Sequence, residues 1–246
     1  MSRVVVQSYK PSNSAKALAT YLGLKRLSTS ASRFVGRPSD IIVNWGNVSR
    51  THNSHYLNPL DAVSTAANKI STFAALSAAS IPVPEVHHSS ITLDPDTTYF
   101  ARTNICGHSG DGIVVGLPSE LPSARLYTKY INKKHEYRVI VVNSIAVDTK
   151  KKLRKRDFEG ERSPYIWNVA NGYVFARNDI TFPSSLQPLA IDAINALGLS
   201  YGAVDIIENE YGNLFVLEIN TAFGLCGHTI SLVATAIQEL INQMRQ

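Results

Sequence analysis

Cysteine is scarce in this chain of 246 residues: only Cys106 and Cys226 occur, each followed by a glycine. That excludes a disulfide framework and a cysteine-based metal knuckle. No apolar run is long enough to cross a bilayer, and no signal peptide opens the sequence. No membrane partner is therefore expected, and the cytoplasm is the expected compartment. Charge is sparse as well, at 17% of residues, with a formal net charge of +5. So modest a basic balance favours anionic partners such as nucleotides, acidic peptides or nucleic acid. The glycine-rich stretch Cys106-Gly107-His108-Ser109-Gly110-Asp111-Gly112 lacks a following Lys-Ser/Thr and opens no helix, which excludes a P-loop and a dinucleotide fingerprint. Internal repeats and low-complexity segments are absent. What is present is an ordinary globular composition, 44% hydrophobic, long enough to bury a substantial core.

The most informative stretch runs from Tyr201 to Leu225. Ala203–Ile207 and Leu214–Ile219 are apolar, β-branched runs, and Glu208-Asn-Glu-Tyr-Gly212-Asn between them supplies turn residues, so the spacing predicts a hairpin. Asp205, Glu218 and Asn220 interrupt the apolar pattern. Glu218 and Asn220 are two apart and share one strand face, and Asp205 can lie across from them. Hard oxygen ligands of this kind suit Mg²⁺ shared with substrate phosphates. The competing reading is a solvated edge hairpin, but the apolar flanks point to burial, where carboxylates need a partner.

Upstream, Arg3–Ser8 reads as a buried strand, Ser12 or Asn13 to Leu22 as a helix ended by Gly23, and Asp40–Gly46 as a second strand. Strand, helix, strand begins an open α/β unit whose ligands gather at strand carboxyl ends. Thr51–Tyr56 reads as a loop; its His52 and His55 lack a third metal ligand nearby. Asp61–Ala79 reads as one Ala-rich helix, stopped by Pro82 and Pro84. Thr98–Thr103 is a strand carrying Arg102, and the glycine loop follows it. Glycines there let backbone amides approach phosphate, although glycine loops also serve ordinary hairpins. Ala124–Ile131 and the hairpin turning at Asn143-Ser144 come next, then the basic run Lys150–Arg156, read either as a solvated strand or as functional. Ser184–Leu197 and Ser231–Met244 are amphipathic helices.

The order of these motifs resembles the ATP-grasp superfamily. Gly202-Ala-Val-Asp205 with Val216-Leu-Glu218-Ile-Asn220-Thr-Ala-Phe223-Gly224 looks like its metal-binding end, with Phe223 where the family usually has proline. Glu136-Tyr-Arg138-Val, Lys151-Lys152 and Asn171-Gly-Tyr-Val-Phe are similar to short ATP-grasp proteins of bacteriophage and bacterial type, near the ribosomal-protein glutamate ligase branch; for a bacteriophage chain the compartment would be the host cytoplasm. The resemblance implies an α/β (α+β) fold: an N-terminal open α/β domain, 1–60, then subdomains 61–128 and 129–246 gripping ATP between them. It implies Mg²⁺ on Asp205, Glu218 and Asn220, and phosphate contacts from Lys69, Arg102, Lys151 and the loop residues Gly107, Ser109, Gly110 and Gly112. It further implies an adenine hinge at Lys129, Tyr130 and Ile131, ribose hydrogen bonds to Glu136, and a catalytic role for Arg138 together with Asn220. A plain surface position for Lys69, and a salt bridge of Arg138 to Asp205 or Glu218, are the alternatives.

The implied chemistry is ATP-dependent joining of a small-molecule or peptide carboxylate to an amine (or thiol) through an acyl phosphate, with ATP and Mg²⁺ as cofactors. The rival readings are a catalytically silent ATP-grasp-like module, an ATP-grasp phosphotransferase, or a nucleic-acid-binding module using the basic run with Tyr127, Tyr130 and Trp167. Nucleic acid is the less favoured partner, because a pure binder needs no metal ligands.

Overall fold

The computed structural model describes residues 2–27, 32–106, 111–161 and 163–246. The chain opens with β1 (Val4–Ser8), α1 (Asn13–Tyr21), β2 (Lys25–Leu27), β3 (Ile41–Trp45) and β4 (His55–Leu57). These strands form a parallel sheet in the order β2-β1-β3-β4. Ser12 caps α1 by accepting from the Ala15 amide at 3.2 Å, and Ala15, Leu18 and Ala19 bury its apolar side. The stretch expected as a loop at 51–56 contributes β4, because Ile41–Val43 pairs with His55–Leu57 and Tyr56 and Leu57 are buried.

Residues 61–79, expected as one helix, form two: α2 (Leu60–Ala67) and α3 (Lys69–Ala78). Asn68 is extended, at φ −109° and ψ 114°, and its side chain accepts from the amides of Ile70 and Ser71. An Asn that can cap breaks a run whose propensity alone favours continuation. Lys69 thereby becomes the first residue of α3 rather than a mid-helix surface residue.

A small antiparallel sheet follows, β5-β8-β6-β7, from β5 (Val86–His87), β6 (Tyr99–Arg102), β7 (Ile113–Gly116) and β8 (Leu126–Lys129). The large sheet, β11-β10-β9-β12-β13, is built from β9 (Lys133–Val142), β10 (Ile145–Arg154), β11 (Tyr173–Ala176), β12 (Tyr201–Asn209) and β13 (Leu214–Asn220). Asn143 and Ser144 take φ of 50° and 57° at the β9–β10 turn, the two left-handed residues that a tight hairpin of matching twist demands. α4 (Leu186–Ala196) and α5 (His228–Met244) complete the chain.

The two faces of the large sheet have different work. Tyr137, Val139, Val141, Val204, Ile206 and Val216 face α4, α2 and α3 in one core. On the opposite face, Ile140, Val142, Tyr201 and Ala203 pack with α1, α5, β1 and β3 in a second core. Further along the same strands that face carries Glu136, Arg138 and Asp205 instead. Period-two alternation thus places charge and core on one face at different heights. The N-terminal sheet is tied on through Asn58, fully buried at φ 65°, which accepts from the Ser200 and Tyr201 amides at 2.8 and 3.0 Å and donates to the Tyr201 carbonyl at 2.9 Å. Phe223 fills the space between the units, 4.7 Å from the Trp45 ring, which stacks on Tyr201. This accounts for a bulky aromatic at the position where the resemblance led us to expect proline.

Candidate active site

The end of the large sheet that lacks an apolar cover faces the small sheet across an open cleft. Its lining includes Phe100, Arg102, Tyr130, Ile131, Glu136 and Glu218. Asp205 on β12 stands directly opposite Glu218 on β13, and opposite Arg138 on β9. Cross-strand neighbours on one face lie within reach of each other's side chains. A register shift between Asp205 and Ile206 leaves Ile206 opposite Val216, so Leu217 is the extra residue and lines the cleft beside Glu218. Bulges re-aim side chains in this way.

Each carboxylate is held by cations. Arg138 donates from Nε and an Nη to the two oxygens of Asp205, both at 2.6 Å, a bidentate fork. The salt bridge to Asp205, weighed above as an alternative for Arg138, is therefore present. Burial pushes the Asp205 carboxyl above the usual carboxylate range, with Arg138 and Lys152 pulling it back. Burial also opposes the charge of Arg138, but Asp205 outweighs it and the guanidinium is held more firmly protonated than usual. Lys69, delivered by the break at Asn68, donates to Glu218 Oε2 at 2.7 Å, and Asn220 donates from Nδ2 to Glu218 Oε1 at 3.0 Å. Burial would raise Glu218, yet Lys69 more than offsets it and holds the carboxyl well below the usual range.

Glu136 is buried between Lys133, at 2.7 Å, and Lys152. Each of its oxygens accepts from one lysine, and a carboxylate oxygen keeps a second lone pair for a ligand hydroxyl. Lys133 and Lys152 were not distinguished by the sequence, since lysines in a basic run look alike until the strand face is known. Lys151, expected at the phosphates, sits beside the Tyr137 ring on the opposite face of β10 and does not line the cleft. Lys152, one position on, does. The basic run divides: Lys150 is buried and donates to Thr229 Oγ1 at 2.6 Å, whereas Arg154, Lys155 and Arg156 are exposed.

Arg102 ends β6 and is only 9% exposed, and among the described residues its Nε has no hydrogen-bond acceptor. Burial draws its pKa down, partly offset by Glu218. A buried, unpaired guanidinium N–H at a cleft wall calls for an anion. Gly112 has φ +68°, and a Cβ there would meet the Asn104 backbone nitrogen at 2.8 Å. Its role is to close the β6–β7 connection, where its carbonyl accepts from the Thr103 amide at 2.9 Å. Gly107, Ser109 and Gly110 lie outside the described residues. Lys129, Tyr130 and Ile131 line the cleft as the link from the small sheet to the large one, and Lys129 Nζ lies 3.3 Å from Glu85.

Lys69, Arg102, Lys133, Arg138 and Lys152 thus surround Glu136, Asp205 and Glu218. The surplus is positive, and the apolar rim of Phe100, Ile131, Tyr165 and Trp167 adds flat, non-polar surface. Such a cleft fits a ligand with a planar apolar part and several negative charges. Asp205, Glu218 and Asn220 are an all-oxygen donor set, which fits Mg²⁺. No group of three or more His, Cys, Asp or Glu suited to a metal occurs among the described residues, so phosphate oxygens and water would complete the coordination. No helix among the described residues is long and apolar enough to cross a membrane.

Comparison with known proteins agrees with this geometry. Residues 113–244 match the RimK-like ATP-grasp domain. The tetrahydromethanopterin:α-L-glutamate ligase of Methanocaldococcus jannaschii is 28% identical over 196 residues, which cover 68% of this chain and 63% of that protein. The chain therefore spans under two thirds of that relative's length. Among solved structures, D-cycloserine synthetase DcsG aligns with a TM-score of 0.68 at 15% identity, covering 97% of this chain and 99% of that one. The ATP-grasp ligase PsnB, complexed with minimal precursor, Mg and ADP, aligns with a TM-score of 0.66 at 14% identity, covering 96% of each chain. With the fold, the register of the acidic hairpin and the domain match in agreement, the chain belongs to the RimK-like ATP-grasp family.

Proposed function

We propose that this protein is an ATP-dependent ligase that joins a carboxylate to an amine through an acyl phosphate. The observation that carries the proposal is the register of Asp205 against Glu218 beneath cations from α3, β6, β9 and β10. The family binds ATP, and the surplus of cations in the cleft matches the charge of a polyphosphate. Adenine is placed against Phe100, Tyr130 and Ile131, and Arg102 and Lys152 on the phosphates. Mg²⁺, held by Asp205, Glu218 and Asn220, would neutralise charge on the transferred phosphoryl group. Residues 1–60, 61–128 and 129–246 are proposed as the three working parts.

The substrate carboxylate oxygen attacks the γ-phosphorus as the bond to the β-phosphate oxygen breaks and ADP leaves. An amine then attacks the acyl carbon and inorganic phosphate departs, its proton passing to solvent or phosphate. The protein's task is positioning and charge stabilisation rather than covalent chemistry. Arg138 orients Asp205, and Lys69 orients Glu218. Substrates consistent with the relatives are a small-molecule or peptide carboxylate and an amine acceptor.

The test is release of ADP and phosphate from Mg-ATP with pools of amino acids and acidic peptides, followed by product mass. A ligase yields both in equal amounts with a condensation product. A phosphorylated product without condensation would identify a phosphotransferase, and binding without turnover a silent module. Within this reading Arg102→Ala should weaken ATP affinity by about 10-fold or more, since charge-assisted contacts are worth roughly 1.5–3 kcal/mol. Unchanged affinity by calorimetry would remove Arg102 from the phosphates.

A further inference from the structure

Charge is distributed unevenly along the chain. Residues 1–60 hold Arg3, Lys10, Lys16, Lys25, Arg26, Arg33, Arg37 and Arg50 but a single carboxylate, Asp40. Eight basic residues less one carboxylate give residues 1–60 a formal charge of +7, more than the +5 of the whole chain. Asp40 is buried and neutralised by Arg3, while the other basic side chains of that segment are exposed.

Two of them lie on one sheet edge, and two more on the helix beside it and the connection that enters that helix. β2 pairs only with β1 among the described residues, and its Lys25 and Arg26 are both exposed. α1 packs beside β2, bringing Lys16, and Lys10 lies in the connection that enters α1. Arg26 donates to the Ser12 carbonyl at 3.3 Å. Two residues on, Ser14 Oγ accepts from the Leu225 amide at 3.0 Å, in the loop that follows Glu218 and Asn220. Gly46, at the carboxyl end of β3, approaches the same loop so closely that a Cβ would stand 2.7 Å from Ala222. The basic edge therefore adjoins the segment leaving the acidic hairpin.

We propose that the β2 edge, with Lys10, Lys16, Lys25 and Arg26, docks an acidic peptide in extended conformation and leads it past the 221–227 loop to the cleft. An open strand edge presents alternating N–H donors and C=O acceptors, which an extended peptide satisfies in kind. A nucleic-acid backbone offers acceptors but no matching donors, so the strand edge favours the peptide. Delivery to the cleft rests on the ligase reading; the docking itself does not.

The experiment uses the full chain and a fluorescein-labelled oligoglutamate peptide, read by anisotropy at low salt. The double variant Lys25→Glu/Arg26→Glu should bind it roughly tenfold more weakly, with ATP affinity unchanged. Lys25→Gln/Arg26→Gln repeats the comparison without adding negative charge. Equal peptide binding by the native protein and the Gln pair, or no binding by the native protein, would overturn the proposal and leave Lys25 and Arg26 as guards against edge-to-edge aggregation. Tighter binding of a single-stranded RNA, lost in the same variants, would overturn it in favour of nucleic acid. In the ADP assay the variants should raise KM for the peptide but not for free amino acids; a rise for neither overturns delivery. No ADP release with any carboxylate, alongside peptide binding lost in the variants, would defeat the ligase reading and leave docking intact.

Discussion

Glu218→Gln is expected to lower Mg-ATP turnover by about a thousandfold, the scale seen when charge stabilisation of a transition state is removed, without unfolding the protein. The glutamine keeps an oxygen to accept from Lys69, 2.7 Å away, so packing on β13 is preserved. What it loses is the negative charge that opposes Lys69 and would draw Mg²⁺ to the triphosphate. Lys69 then remains uncompensated beside the place where the metal is proposed, and repels it. The expected signature is a loss of turnover with a Mg²⁺ requirement shifted to higher concentration, in a protein that still folds by circular dichroism but melts at a lower temperature because Lys69 has lost its counter-charge. Asn220→Ala should act in the same direction but less, because a neutral ligand contributes less charge. Turnover retained in both variants would remove these residues from the metal site.

Asn58→Ala is expected to cost about 3–5 kcal/mol of stability in urea unfolding. The side chain serves two backbone donors and one acceptor of Ser200 and Tyr201 in a fully buried position. Truncation leaves all three without their side-chain partner, the two of Tyr201 in a fully buried position. Its φ of 65° adds a backbone term, since asparagine tolerates the left-handed region better than alanine. Asn58→Gly should recover about 1 kcal/mol of that loss, the part due to conformation. A loss below about 1 kcal/mol for Asn58→Ala would mean that the N-terminal sheet is held on by the Trp45, Tyr201 and Phe223 contacts alone.

The sequence by itself determined the elements whose signals are local. The acidic hairpin was legible because Asp205, Glu218 and Asn220 interrupt two β-branched runs flanking a glycine turn, and Asn143-Ser144 marked its own turn. The pairing of Glu218 with Asn220 followed from their spacing, and the family followed from motif order. Tertiary structure decided what depends on which face a strand presents and on competing caps. Asn68 divides a run of helix formers because its side chain caps the second helix better than its backbone continues the first, and only that division delivers Lys69 to Glu218. Whether Lys151 or Lys152 enters the cleft is a one-residue matter of strand phase, fixed by the pairing of β10 with β9. The bulge at Leu217, the fork from Arg138 to Asp205 and the two lysines on Glu136 arise between segments far apart in the chain. No local pattern encodes them, because a buried carboxylate selects its counter-charge by proximity in space.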